Sequence, residues 1–277
     1  MTDCFPRSIN LPNQSPLFWV AHKDRYLRQL LIRDIQESTG RALIVYFTDC
    51  DRTAAQIDQS DDAPLAEALG YCAGRPIDLL LETNGGFTDA TEKLCGILRQ
   101  YAPDLRVIVP RRAKSNGTVI ALCGSTVVMG QQSELGPIDP SFGGVPAEFI
   151  VEAPAGTYQA LDVQFAEAAR KQTRKLASTL LATGMMSDQQ QAVIDQAVES
   201  LASKNVYHSH GSSIDADEAA RLGLNVLKLS HDDELWRRVW LLRTMYQHDC
   251  GVYGYTKIFE GEAVSSAVSA APKPDGK

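Results

Sequence analysis

Two short strings hold the residues best suited to chemistry. RRAKSNGTVIAL (111–122) sets Ser115 between a lysine and an Asn-Gly pair, after one apolar run and before another. ETNGGFT (82–88) sets two glycines directly after a run of β-formers. A serine where a strand turns into a helix can lift its hydroxyl above a sheet as a nucleophile, with the next N–H, that of Asn116, pointing the same way. The glycines let backbone approach a ligand, and the Gly86 N–H is a second donor for a developing oxyanion. Each string also has a structural reading: Ser115 as the N-cap of the following helix, the Gly-Gly pair as a tight βα turn. Neither G-x-G-x-x-G nor G-x-x-x-x-G-K-[ST] is present, which disfavours a phosphate loop.

The surrounding pattern says what positions these strings. ALIVYF (42–47), IDLLLE (77–82), LRVIV (105–109) and STVVM (125–129) are short continuous runs of β-formers, the pattern of strands buried on both faces. Helical spacing fills the intervals at 22–38, 63–73, 88–101 and 117–123, with Leu94, Ile97, Leu98 and Tyr101 expected to face inward from the third. This β-α alternation predicts a parallel sheet covered by helices, with both strings at the carboxyl ends of strands, on one rim. The second half reads as more helical. A helix pair is expected over 159–183 and 187–203, the latter opened by an S-x-x-Q capping box at Ser187–Gln190. A short helix and strand follow over 214–229, then a helix over 231–248 whose tryptophans are candidates for a subunit contact. The domain is expected over 21–259, after an N-terminal extension (1–20) and before a low-complexity, disordered tail (260–277).

Composition narrows the function class. The chain has 277 residues, 44% hydrophobic and 22% charged, as in an ordinary globular domain, and its net charge of −7 argues against a nucleic-acid partner. Six dispersed cysteines lack any C-x-x-C pair, so neither a disulfide framework nor a zinc site is expected, and no cofactor is implied. The longest apolar stretch, TVIALCGSTVVMG, falls short of the roughly 18–20 residues of a membrane span, and no secretory signal is visible. A cytoplasmic location is the expectation.

Taken together, DLLLETNGG, RVIVP-x-x-A-K-S-x-G-T-x-I-A-L and VVMG-x-x-S-E-L-G-P-I-D-P resemble the serine dehydrogenase proteinase family. That family sits within the Clp-protease-like and signal-peptide-peptidase-A-like serine peptidases of crotonase fold. The resemblance runs from about Pro16 to Pro140, returns at YHSHGSSIDADEAARLGLNV, is weak over 145–200 and is absent in the tail. It implies a Clp/crotonase-like parallel sheet core with a helical C-terminal half, and a peptidase or related acyl hydrolase acting on peptide or protein. Ser115 would be the nucleophile, and Gly86 and Asn116 the oxyanion donors. Gly85, Lys114, Gly136 and Pro137 would line the substrate rim, LGPIDP being alternatively a structural turn. Asn84 and Asn116 depart from the family's proline before Gly-Gly and small residue after serine, and the Asn116 side chain would narrow the pocket.

The general base is open. Clp-like relatives use histidine with aspartate, but the first histidine after Ser115 is His208, so a triad in that order is not expected. Signal-peptide-peptidase-like relatives use a later lysine, which makes Lys171 and Lys175 candidates, although RKQTRK also reads as a solvated basic face. Lys114, beside the serine, would contact substrate or a neighbouring chain. His210, in YHSHG, is the imidazole candidate, with a structural histidine as its alternative. The resemblance further implies a homo-oligomer and allows peripheral association with membrane proteins. Two other functions stay open: a catalytically silent binding or assembly protein, and an acyl-CoA-binding crotonase relative.

Overall fold

In the computed structural model, residues 15–72 and 74–270 are described. Most of the proposed extension at 1–20 and the end of the proposed tail therefore lie outside the described residues. The chain runs through α1 (Pro16–Ala21), α2 (Lys23–Thr39), β1 (Ala42–Thr48), a 3₁₀ turn (Gln59–Asp61), α3 (Asp62–Gly70), β2 (Ile77–Glu82) and α4 (Thr88–Tyr101). Next come β3 (Leu105–Val109), β4 (Arg112–Ala113), α5 (Asn116–Ala121), β5 (Thr126–Met129), β6 (Glu134–Leu135), β7 (Ser141–Phe142) and β8 (Val145–Pro146). The second half holds α6 (Ala147–Glu152), α7 (Ala160–Thr183), α8 (Gln191–Ala202), α9 (Ala216–Arg221), β9 (Val226–Lys228), α10 (Glu234–Tyr253), β10 (Tyr255–Glu260) and β11 (Ser265–Ser269).

The main sheet has seven strands in the order β11-β10-β1-β2-β3-β5-β9. The five from β1 to β9 are parallel, and β10 and β11 join antiparallel at one edge. Alternation along each strand sends side chains to two separate cores. Ile44, Tyr46, Leu79, Leu81, Val107 and Val127 face α3, α4, α5, α7 and α8. Leu43, Val45, Phe47, Leu80, Ile108 and Val128 face α2 and α10. This three-layer arrangement explains why the strands read as continuous apolar runs: neither face is left to water.

Four expectations need correction. The tail does not start at Glu260, which ends β10 as a fully buried residue, and Ser265–Ser269 pairs with β10 as an edge strand. The S-x-x-Q box does not cap α8: the helix begins at Gln191, and the Ser187 N–H bonds back to Gly184 O in the preceding turn. Tyr101 is exposed rather than inward-facing. Trp236 is buried in the second core of its own chain, so it is not free for a subunit contact.

Candidate active site

The Ser115 turn grows directly out of the sheet. Beyond the end of β2, Thr83 bridges Ala113 in parallel: its N–H donates to Arg112 O (3.0 Å), and its carbonyl accepts from the Lys114 N–H (3.0 Å). One short ladder therefore carries both loops forward together. Ser115 follows with φ 52° and ψ −122°, making it the one non-glycine residue with positive φ among the described residues. That geometry lies outside the regions that L-residues ordinarily occupy, and a β-carbon held there costs of order 1–3 kcal/mol. The serine stands at the N-cap position of α5, yet its side chain makes no capping hydrogen bond. The cap alternative thus fails on its own criterion, and the strain is left without a structural return.

The Gly-Gly loop is built around this turn. Gly85 has φ 98°, and a β-carbon there would lie 2.8 Å from Ser115 Cβ and 2.8 Å from Lys114 O. A β-carbon on Gly86 would fall 2.2 Å from Ile57 O. Ile57 holds this loop from the other side, its N–H donating to Gly85 O and its carbonyl accepting from the Phe87 N–H (2.9 Å each). The Gly86 N–H is left without an acceptor among the described residues, and so is the Asn116 N–H, which opens α5. Two unpaired donors thus flank the Ser115 turn, the arrangement a tetrahedral oxyanion needs.

Asn116 does more than supply an N–H. Its side chain is buried and donates from Nδ2 to Gly86 O (2.6 Å) and to Thr88 Oγ1 (3.2 Å). It braces one donor loop against the other, a tie that a small residue there could not make. The Asn84 side chain turns away and donates to Cys50 O (2.6 Å).

The rim beyond Ser115 is closed by β4, β6 and the segment after His210. Leu135 pairs with Ala113 on one side and bridges Ile214 on the other. Thr118 Oγ1 accepts from the Gly136 N–H (3.0 Å) and donates to Ala113 O (2.7 Å), so LGPIDP is stitched to the serine turn. Pro137, next to Gly136 on this stitched segment, is buried. Lys114 lies over Gly136, and its ammonium donates to Ser212 O and pairs with Glu134, each at 2.9 Å. Its cation is thus committed within the chain rather than offered to substrate or a neighbour. Burial of Glu134 pushes its carboxyl up, but hydrogen bonds from Ser213 and Lys114 outweigh that and hold it below the ordinary range.

The candidate bases separate clearly. Lys171 and Lys175 are exposed on α7, Lys171 pairing with Glu167 one turn before it. Both line a cleft of about 530 Å³ with Glu92 and Arg99 of α4, to which neither Ser115 nor Gly86 contributes. Neither lysine makes a hydrogen bond or ion pair to the serine turn. His210 stands two residues before Ser212, whose carbonyl Lys114 binds, and its Nδ1 lies 3.0 Å from Asp139 Oδ1. Asp139 comes from LGPIDP and also faces the buried Lys204, Nζ to Oδ2 2.8 Å. Asp139 and Lys204 escaped sequence reasoning; a carboxylate inside a glycine-proline turn beside the serine motif was the available signal for Asp139. His208 Nδ1 lies 2.9 Å from Lys204 O, a structural contact. Among the described residues no cluster of His, Cys, Asp and Glu could hold a metal ion, and no helix is long and apolar enough to cross a membrane.

Comparison with known proteins gives the arrangement its context. Two uncharacterized proteins of Methanocaldococcus jannaschii share a segment with this chain: MJ0137 is 42% identical over 79 residues and MJ1495 is 38% identical over 78. The matched segment spans 28% of this chain and 28% and 27% of those proteins. Among solved structures, a ClpP1 variant from Listeria monocytogenes is 13% identical with a TM-score of 0.44, covering 72% of this chain and 98% of that one. A variant of the membrane-bound stomatin-specific protease 1510-N is 18% identical with a TM-score of 0.44, covering 66% of this chain and 79% of that one. The family model of ClpP-like, SDH-type serine proteinases matches residues 56–258, a span that takes in Ile57, both donor loops, Ser115, Asp139 and His210, and the chain belongs to that family.

Proposed function

We propose that this chain is a serine peptidase whose nucleophile is Ser115, with Gly86 and Asn116 N–H as the oxyanion hole and His210, oriented by Asp139, as general base. The observation that carries the reading is the strained Ser115 backbone between two N–H donors that have no other partner. An ionised carboxylate only accepts, so the imidazole facing Asp139 donates from Nδ1 and leaves Nε2 as its basic nitrogen. Ser115 Oγ attacks the peptide carbonyl while its proton passes to His210 Nε2. The tetrahedral oxyanion is met by the two N–H groups. Collapse expels the amine, which takes the proton from His210, and an ester to Ser115 remains. Water, deprotonated by the same imidazole, hydrolyses that ester and restores the serine.

A Ser–Lys arrangement through Lys171 or Lys175 is the alternative, and their solvated positions count against it. Exposed Phe149, Leu161 and Phe165 on the α6–α7 arm support self-association as part of this reading, in the aqueous cytoplasm. The test is covalent labelling with a fluorophosphonate, read by intact mass. One adduct is expected, lost in Ser115→Ala, slowed at least 100-fold in His210→Gln and unchanged in Lys171→Ala and Lys175→Ala. A wild-type chain that gains no adduct removes the hydrolase reading in favour of a silent binding protein. Loss of labelling in either lysine variant moves the base to α7.

A further inference from the structure

Asp139 is shared between an imidazole and an ammonium. Oδ1 lies 3.0 Å from His210 Nδ1, and Oδ2 lies 2.8 Å from Lys204 Nζ. The Asp139 and Lys204 side chains are 3% and 4% exposed, while His210 keeps 36% of its surface. The Lys204 ammonium has no hydrogen-bond acceptor among the described residues, so the ion pair with Asp139 is its whole compensation for leaving water. A carboxylate needed only to orient an imidazole does not require a buried ammonium behind it.

Lys204 is also anchored by its backbone. Its N–H donates to Glu148 Oε2 (2.8 Å), and the carbonyl of Leu201, three residues earlier, accepts from the Ile138 N–H (2.9 Å). The end of α8 is therefore docked onto LGPIDP beside Asp139. The ammonium reaches the carboxylate from a fixed base rather than from a mobile loop.

We infer that Lys204 is a positioning residue for the Ser115 centre, clamping the second oxygen of Asp139 so that the first holds the His210 ring. The inference rests on the proposed roles of Ser115 and His210. The clamp has two effects. It holds the second oxygen by charge, which disfavours rotation of the carboxylate away from Nδ1. Its positive charge also lies one carboxylate away from the ring, so removing that charge favours adding a proton to the imidazole. Of the other charges near the loop, Lys114 and Glu134 pair beside Ser212, His208 lies on the same loop, and Glu148, which accepts from the Lys204 N–H, is balanced by Arg170. Lys204 is the cation on the carboxylate that orients the ring.

The experiment compares wild type with Lys204→Gln, Lys204→Met and Lys204→Arg. The first readout is the rate of fluorophosphonate labelling between pH 5 and 9, whose acid limb reports the base in the free enzyme. In Lys204→Gln and Lys204→Met the limb should move up by about one unit, and labelling at pH 6 should fall about tenfold. Lys204→Arg, which keeps the charge, should retain the wild-type midpoint. The glutamine variant keeps a polar group against Asp139 and carries the test if the methionine variant does not fold. The second readout is the NMR titration of His210 in the full chain labelled with 13C-histidine, assigned with His210→Gln, and it needs no activity. An unmoved His210 titration in Lys204→Gln overturns the inference, as does a loss of labelling equal at every pH. If His210→Gln labels normally while the His210 titration still follows Lys204, the base assignment fails and the electrostatic clamp stands.

Discussion

Replacing Ser115 with glycine should make the protein more stable while destroying its labelling. The residue sits at φ 52°, ψ −122°, a conformation that disfavours any β-carbon, and its hydroxyl makes no capping bond to offset the cost. Strain of this kind is worth of order 1–3 kcal/mol. Glycine returns part of that through the larger entropy of its unfolded chain, about 0.5–1 kcal/mol. The expected net gain is roughly 0–2.5 kcal/mol, centred near 1 kcal/mol, or about 2 °C in Tm for a chain of this size. Ser115→Ala is the control, because it removes the hydroxyl but keeps the β-carbon in the strained well. Urea unfolding of both variants, at unchanged m value, separates loss of the hydroxyl from loss of the β-carbon. A glycine variant no more stable than the alanine variant would refute the argument that this turn stores strain.

The brace and the rim give two further tests. Asn116→Ala removes the Nδ2 bonds to Gly86 O and Thr88 Oγ1 and should slow Ser115 labelling about 10–100-fold, below the ~10²–10³ loss of a whole oxyanion donor. Its stability cost should be about 1–2 kcal/mol by thermal melting, and labelling at the wild-type rate would show that the side chain only fills space. Glu134 has a folded pKa below its ordinary 4.5, so its stabilising contribution is present above that value and disappears as pH falls through the lower folded value. Urea midpoints of Glu134→Gln should therefore lie below wild type at pH 7 and converge with it in the acid range, whereas a constant gap from pH 7 to 3 contradicts the assignment.

The parts of this fold that were legible in sequence are those fixed by local pattern. ALIVYF and IDLLLE announce strands because both faces are buried, and Ser115 announces a turn because it divides two apolar runs. Asp139 and Lys204 stand 65 residues apart and meet only through the docking of α8 on LGPIDP, which no periodicity records. The Asn116 side chain read as an obstruction because its partner, Gly86 O, belongs to another loop. SSAVS looked like low-complexity tail because an edge strand with small side chains needs a neighbouring strand, not an amphipathic pattern of its own.

The late strand β10, which lies between β11 and β1, has a bearing on the early loops. Lys257, 2% exposed in the middle of β10, reaches Asp58 Oδ2 (2.6 Å) and Asp61 Oδ1 (2.7 Å), and Tyr46 from β1 donates to Asp61 Oδ2 (2.5 Å). Burial raises the Asp61 carboxyl above its ordinary value against the pull of Lys257, so this ion pair pays a real desolvation cost. What it fixes is the segment directly after Ile57, whose backbone holds Gly85 O and the Phe87 N–H. On the other side of the sheet, Arg243 of α10 grips Glu82 through Nε (2.9 Å) and Nη2 (2.6 Å), at the last residue before TNGG. Two buried cations from the C-terminal region thus hold the two approaches to the Gly-Gly loop. A strained serine can be kept in register with its oxyanion donors only if the backbone around it cannot relax, and these charges supply that rigidity from residues more than 150 positions downstream of the carboxylates they bind.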